Sequence, residues 1–357
     1  MTHDTGRPAG RGKSTGRGEG TPCPFEALTH HGQARRLRHL AVAALRDYPI
    51  QAARIALLHY EDNAVYRVTT AVDERFILRV GAAEGHGVAE QRAELRWLAA
   101  LGHDTDLAVP PPVPTTRGAP LTLVDGGGVP EPRPCVLFRW VPGRPPTGTV
   151  RPEVVARIGA VTAQLHRHAE HFVPPPDFVR PSWGWERLFG ASSALAGASL
   201  SARERGIVIA TGARVREDLD ALGTGARVWG LTHADLHRGN VLIDQGRVGV
   251  IDFDDCGWGY YLLDVATFLS SLRRVVSDTS TYAALRTAYV AGYVEVRALP
   301  ALLDAHLRTF AVLRDMVIVN FILGSTNAQV QHWGPARVAG IMHDLERYLA
   351  GVSPATI

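Results

Sequence analysis

Apolar positions along this chain change their spacing partway through, from mostly alternating to mostly helical. Residues 33–46 carry apolar positions at helical intervals, and the pattern then turns strand-like. RIALLHYEDNAVYRVTT (54–70) holds two β-type runs around the polar turn Glu61-Asp62-Asn63, and ERFILRV (74–80) forms a further short run. Val88, Leu95, Leu98 and Leu101, with mixed charge between them, predict an amphipathic helix over 88–101. The proline-rich VPPPVPTTRGAP (109–120) reads as an extended connector. LTLV (121–124) and RPCVLFRWV (133–141) read as strands separated by a Gly-Gly-Gly turn. The first part is therefore a sheet of about five strands with one helix inserted after the third.

Pro142-Gly143 ends the last of these strands, and helices dominate beyond it: 152–168, roughly 201–222, 261–275, 281–297, 300–323 and 335–350. The exceptions are VLID (241–244) and RVGVID (247–252), two short strands around a Gln-Gly turn, and PPPDFVRPSW (174–183), a surface loop. No repeat occurs at a fixed period. A strand-rich part followed by a helix-rich part predicts an α+β fold. The expected division is a disordered tail (1–24), an N-terminal lobe (25–141), a linker (142–150) and a C-terminal lobe (151–357).

Composition narrows the function. Net charge is only +3, and the first twenty residues alone carry Arg7, Arg11, Lys13 and Arg17 against Asp4 and Glu19. The remainder is near neutral, which argues against nucleic acid as a partner. FAVLRDMVIVNFILG (310–324) is interrupted by Arg314 and Asp315, so a buried helix is expected rather than a membrane span. Arg314 and Asp315 themselves read either as a buried ion pair or as lining of a substrate pocket. Trp183 and Trp185 read as core or lid. The HRHAEH run (166–171) reads as a polar helix end rather than a zinc site. Cys23, Cys135 and Cys256 are odd in number and far apart, with no CxxC spacing, which fits a reduced, cytoplasmic setting. The start has no apolar segment of the kind that targets secretion. Lys13 is the only lysine, so no mechanism can call on a lysine elsewhere.

The candidate chemistry lies in LTHADLHRGNVLIDQGRVGVIDFDDCGWG (231–259). Asp235, two residues after His233, is placed to orient a hydroxyl and accept its proton. Asn240 and Asp252, brought together by the hairpin between them, offer hard oxygen ligands for Mg²⁺. Together they suit phosphoryl transfer, in which positioning and charge neutralisation do most of the work. His233 reads as a brace through a backbone hydrogen bond, and His237 as a solvent-facing loop residue. A hydrolase with a metal on His233, Asp235 and His237 is the alternative from these residues alone. Asp254 and Asp255 read equally as metal-site neighbours or as exposed charges.

These residues resemble the aminoglycoside phosphotransferase/choline kinase-like superfamily, which has the two-lobed protein-kinase-like fold. LTHADLHRGNVLI matches its H-x-D-x-x-x-x-N loop and VGVIDFDD its metal-binding aspartate, with Asp254-Asp255 closest in look to the type II homoserine kinase and stress-response kinase-like branch. The resemblance implies an ATP- and Mg²⁺-dependent kinase with Asp235 and His233 at the reaction and Asn240 and Asp252 on the metal. It places Arg79 where kinases have the phosphate-contacting lysine, with Glu94 as its partner. Phe138, Arg139, Trp140 and Val141 become the hinge whose backbone meets adenine. His59-Tyr60-Glu61-Asp62-Asn63 becomes a glycine-free phosphate-covering loop, and GYYLLDVATFL matches the family's aspartate at the start of the next helix, here Asp264, which by itself reads as a helix N-cap with a network role. The implied acceptor is a small-molecule hydroxyl, such as a homoserine-like alcohol or an antibiotic, and the acting unit a monomer or homodimer. Protein serine or threonine is the acceptor in some members, and the missing lysine also raises a nucleotide-binding pseudokinase. Residues 281–357 hold five acidic residues against six arginines, which tilts the acceptor away from polycations and toward a small neutral, zwitterionic or amino-acid-like alcohol.

Overall fold

The computed structural model describes residues 24–351 except 83–84, 149, 192, 199 and 302. Apart from Pro24, the expected disordered tail lies outside the described residues. The first helix, α1 (His30–Ala44), starts where the Thr29 hydroxyl accepts the Gly32 N–H at 3.2 Å, and it buries Leu37, Leu40, Ala41 and Ala44. It packs on an antiparallel sheet of β1 (Ala52–Tyr60), β2 (Ala64–Thr70), β3 (Arg75–Val80), β4 (Pro112–Val113), β5 (Thr122–Gly126) and β6 (Val129–Arg139). The sheet order is β1-β2-β3-β6-β4, and β5 also pairs with β6. The period of two along β6 divides the molecule's two apolar cores. Cys135 and Leu137 join Leu37, Leu40, Tyr66 and Leu78 under α1, whereas Val136 and Phe138 join the larger core. The helix inserted after β3, α2 (Val88–Asp104), adds Leu95, Trp97, Leu98 and Leu101 to that larger core.

Beyond the sheet come α3 (Pro152–His171), α4 (Trp185–Phe189), α5 (Ala202–Leu222), α6 (Tyr261–Arg273), α7 (Thr279–Val294), α8 (Leu303–Gly324) and α9 (Ala328–Leu349). Helix α6 is buried on every side, as its nearly all-apolar sequence requires. Helices α3 and α7 approach until a Cβ on Gly159 would lie 2.0 Å from the Tyr289 carbonyl oxygen, and one on Gly292 1.8 Å from that of Ala156. Two short ribbons stand in front of α6: β7 (Trp229–Thr232) with β10 (Gly257–Tyr260), and β8 (Val241–Asp244) with β9 (Arg247–Val250). The fold is α+β, with an antiparallel sheet lobe and a mostly helical part. Among the described residues no helix is long and apolar enough to cross a membrane.

Several expectations need correction. Helix α3 continues to His171, and His166 is fully buried rather than part of a polar end. Helix α9 starts at Ala328, where the Asn327 side chain accepts the Gln329 N–H at 2.8 Å, so Pro335 sits inside the helix instead of opening it. The supposed surface loop 174–183 buries Arg180 and Trp183, the latter in the core, because Trp183 and Trp258 exchange backbone bonds with this segment and β10. Strands β4, β7 and β10 fall outside the expected set.

Candidate active site

Residues 233–240 join β7 to β8, and the loop is held from behind by one buried carboxylate. Asp264, in the first turn of α6, accepts the His233 N–H at 2.9 Å and the Ala234 N–H at 2.8 Å. Ala234 takes a left-handed backbone (φ 66°), a strained conformation for a residue with a Cβ that this pair of bonds holds in place. The cap of α6 is Tyr260, so Asp264 is not its N-cap. Behind Asp264, His166 Nε2 lies 3.0 Å from its Oδ2, and His166 Nδ1 lies 2.8 Å from the Tyr293 hydroxyl. Burial holds the His166 pKa below its ordinary value against the pull of Asp264. The neutral ring then donates from Nε2 to the carboxylate and accepts the tyrosine proton at Nδ1. His233 is also buried: its Nε2 donates to the Ile251 carbonyl at 2.9 Å, and its Nδ1 accepts the Asp235 N–H at 3.3 Å.

Asp235 gathers three side chains. Asn240 Nδ2 donates to the Asp235 carbonyl at 3.0 Å and to Oδ2 at 3.1 Å, which leaves the amide oxygen of Asn240 as a free ligand atom. Arg314 of α8 forms an ion pair with Oδ1. His237 Nε2 lies 3.5 Å from Oδ2, while its Nδ1 accepts the Gly239 N–H at 2.8 Å. His237 is therefore a half-buried neighbour of Asp235, not a solvent-facing bystander. Arg314 does not pair with Asp315 either, because successive residues on a helix point about 100° apart. Asp315 instead meets Arg337 of α9 at 3.4 Å.

The β8–β9 ribbon delivers Asp252 beside this group, fixed by the Ile251 N–H donating to the Asn240 carbonyl at 2.9 Å. Asp252 also has a left-handed backbone (φ 66°). Desolvation in the cleft, then repulsion from Asp254 and Asp235, pushes its carboxyl up to about 8. Water still reaches this side chain, so like-charge repulsion is the cause that survives in an open cleft. Asp254 accepts from Asn63 at 2.7 Å, and Asp255 faces His86 at 3.4 Å. Asp62, on the β1–β2 turn, is pushed up to about 6 by burial and then by Asp255 and Asp254. The same turn is tied to α9 by Asn327, whose amide donates to the Glu61 carbonyl at 2.6 Å.

Arg79 and Glu94 meet as a buried bidentate pair at 2.9 and 2.5 Å, and Arg79 also reaches Asp254 at 3.2 Å. Among the described residues its Nε has no partner. Of the four expected hinge residues, Phe138 packs into the core, the Arg139 N–H donates to the Pro111 carbonyl (2.9 Å) and the Trp140 N–H to the Arg75 carbonyl (3.2 Å). Among the described residues the Val141 N–H alone of these has no acceptor. Two residues with no local sequence signal complete the site. Arg180 donates to the carbonyls of Cys256, Asp254 and, at 2.9 Å, Glu90, joining α2 to the segment after Asp252, and Trp183 Nε1 donates to the Asp255 carbonyl at 2.7 Å.

The oxygen donors fit a hard divalent cation. Asn240 and Asp252 offer an amide oxygen and a carboxylate whose raised pKa records uncompensated negative charge around it. Among the described residues no three His, Cys, Asp or Glu side chains form a complete metal cage.

A family model described as a phosphotransferase enzyme family matches residues 55–327. The structure of a microcompartment-associated aminopropanol kinase superimposes with a TM-score of 0.75 and 31% identity, covering 89% of this chain and 99% of that one. An amicoumacin kinase solved in complex with AMP-PNP, Ca²⁺ and Ami gives a TM-score of 0.75 at 21% identity, over 92% and 98% of the two chains. The homoserine kinase of Neisseria meningitidis is 40% identical over 73 residues, 20% of this chain and 24% of its own length, so that likeness is partial.

Proposed function

The chain belongs to the phosphotransferase enzyme family, and from that premise we propose that it moves the γ-phosphate of ATP to the hydroxyl of a small molecule, with Asp235 as the proton acceptor. The observation that carries this reading is the convergence of Asp235, Asn240 and Asp252 in front of the Arg79–Glu94 pair. In the transfer the acceptor oxygen bonds to the γ-phosphorus, the bond to the bridging oxygen breaks, ADP leaves and the hydroxyl proton passes to Asp235. Asn240 orients the Asp235 carboxylate and keeps its own oxygen for Mg²⁺, with Asp252 as the second ligand. The ion supplies charge neutralisation at the phosphate oxygens. Arg79, fixed in direction by Glu94 and Asp254, takes the place of the usual lysine toward the α- and β-phosphates, and the Val141 N–H is the group left at the hinge for adenine. His233 is a positioning residue that sets the Asp235 backbone.

The nucleotide falls to the lobe 25–141, joined by the linker 142–150 to the catalytic lobe 151–357. The buried free thiols of Cys135 and Cys256 support a reducing, cytoplasmic setting, with a monomer or homodimer as the acting unit. The hydrolase alternative loses support because both ring nitrogens of His233 are engaged by backbone groups. The pseudokinase alternative loses support because a guanidinium occupies the lysine position in the expected pair with glutamate. The testing experiment is an ATP-consumption screen over small alcohols with Mg²⁺. Turnover on at least one alcohol is expected. No turnover with nucleotide binding retained would favour the pseudokinase.

A further inference from the structure

We infer that the acceptor carries a carboxylate, held beside Asp235 by Arg274 and Arg337; this rests on the reading of Asp235 as the proton acceptor. Three helices each send one guanidinium to the surroundings of Asp235: Arg274 at the C-terminal cap of α6, Arg314 from α8 and Arg337 from α9. Two are committed, Arg314 to Asp235 and Arg337 to Asp315. Arg274 has no carboxylate within ion-pair distance among the described residues. Its side chain is exposed; partial desolvation, then repulsion from Arg337 and Arg314, lowers its pKa against the weaker pull of Asp315 and Asp235. His237 feels the same two cations, Arg314 and Arg274, across from Asp235.

A second observation points the same way. Arg314 is nine-tenths buried, and among the described residues its Nε–H has no partner. A buried guanidinium donor without a partner is costly to keep in a fold, and Arg274, exposed and without a carboxylate partner among the described residues, is open to an incoming anion. An anion entering beside these side chains can meet both guanidinium groups, and a planar carboxylate matches the guanidinium fork. Asp344 also acts on Asp315, raising its pKa. The same cluster repels a polycationic acceptor.

The test uses pairs of alcohols that differ only by the carboxylate: L-threonine with 1-aminopropan-2-ol, and L-homoserine with 3-aminopropan-1-ol. ADP release is measured with Mg²⁺-ATP for the full chain, Arg274→Gln and Arg337→Gln, with thermal unfolding to show that each variant folds. The expected result is a preference in kcat/KM for the carboxylate member of at least one pair on the order of tenfold or more. The variants should erase it through the acceptor KM. Equal or reversed preference overturns the inference. So does a rise in the KM for ATP with the preference unchanged, which would assign the arginines to the γ-phosphate. If no pair is turned over, calorimetry with AMP-PNP bound decides. Absence of a carboxylate advantage in acceptor binding overturns this inference alone, whereas failure to bind AMP-PNP overturns the kinase reading beneath it.

Discussion

Arg79 and Glu94, fifteen residues apart on β3 and α2, bond through both guanidinium Nη atoms at 2.9 and 2.5 Å with both side chains buried. In a chain with a single lysine, near its N-terminus, this pair fixes the guanidinium that stands at the lysine's place in the proposed phosphate site. Arg79→Ala should weaken ATP binding and, by stranding Glu94, cost about 3–5 kcal/mol of stability. Calorimetry and thermal unfolding of the same variant read both effects. An unchanged ATP dissociation constant would remove Arg79 from the site.

Asp264 holds the loop that carries Asp235. Asp264→Ala leaves the buried His233 and Ala234 N–H groups without acceptors, at about 1–3 kcal/mol each. The turnover number should fall by at least about tenfold, because the strained Ala234 backbone loses its restraint, while the KM for ATP changes little. Steady-state kinetics with ATP and acceptor varied separately make the comparison. A variant that raises only the KM for ATP would contradict the loop-holding role.

Helices α3 and α7 touch at glycine. Gly159→Ala or Gly292→Ala would push a methyl group against a backbone carbonyl, and overpacking of this kind costs about 1–3 kcal/mol or more. Since α3 carries His166, the damage should also reach turnover through Asp264. Denaturant unfolding of either variant at wild-type stability would show that the two helices separate more easily than their packing indicates.

The carboxylates around Asp252 set a pH response. Asp252 and Asp62 are held above the ordinary value of 3.8, at about 8 and about 6, so the folded state keeps protons that the unfolded chain releases. Their contribution to stability is full below about pH 4 and is lost as pH rises through 6 and then 8. The melting temperature without nucleotide should fall between pH 5 and 8.5, and Mg²⁺ with AMP-PNP should flatten that fall. A rise in melting temperature over this range would contradict the crowding of charge described here.

Much of this architecture could be read from local patterns, and the parts that could not share a cause. Alternation in β6 sorts Cys135 and Leu137 from Val136 and Phe138, and helical spacing marks α2, because both patterns reflect a single buried face. The grouping of Asp235, Asn240 and Asp252 was also readable, since one short ribbon joins them. Arg314 reaches Asp235 across 79 residues, Arg180 reaches Cys256 across 76, and His166 reaches Asp264 across 98. No local spacing encodes such meetings. Pro335 misled in a different way: proline favours the first turn of a helix, but the cap that starts α9 is Asn327. The ribbon strand β10, Gly-Trp-Gly-Tyr, carries two glycines that fit close to Pro181 and Thr232 and so lacks the composition of a strand.

The central claim is that Asp235 accepts the proton in transfer from ATP. Radiolabel from γ-labelled ATP is followed into an alcohol acceptor found by the screen, for the wild-type chain and for Asp235→Asn, with AMP-PNP affinity measured on both. The account predicts transfer by the wild type, a loss of about a hundredfold or more in the variant, and nucleotide affinity preserved within a few fold. Near-full transfer by Asp235→Asn would contradict it.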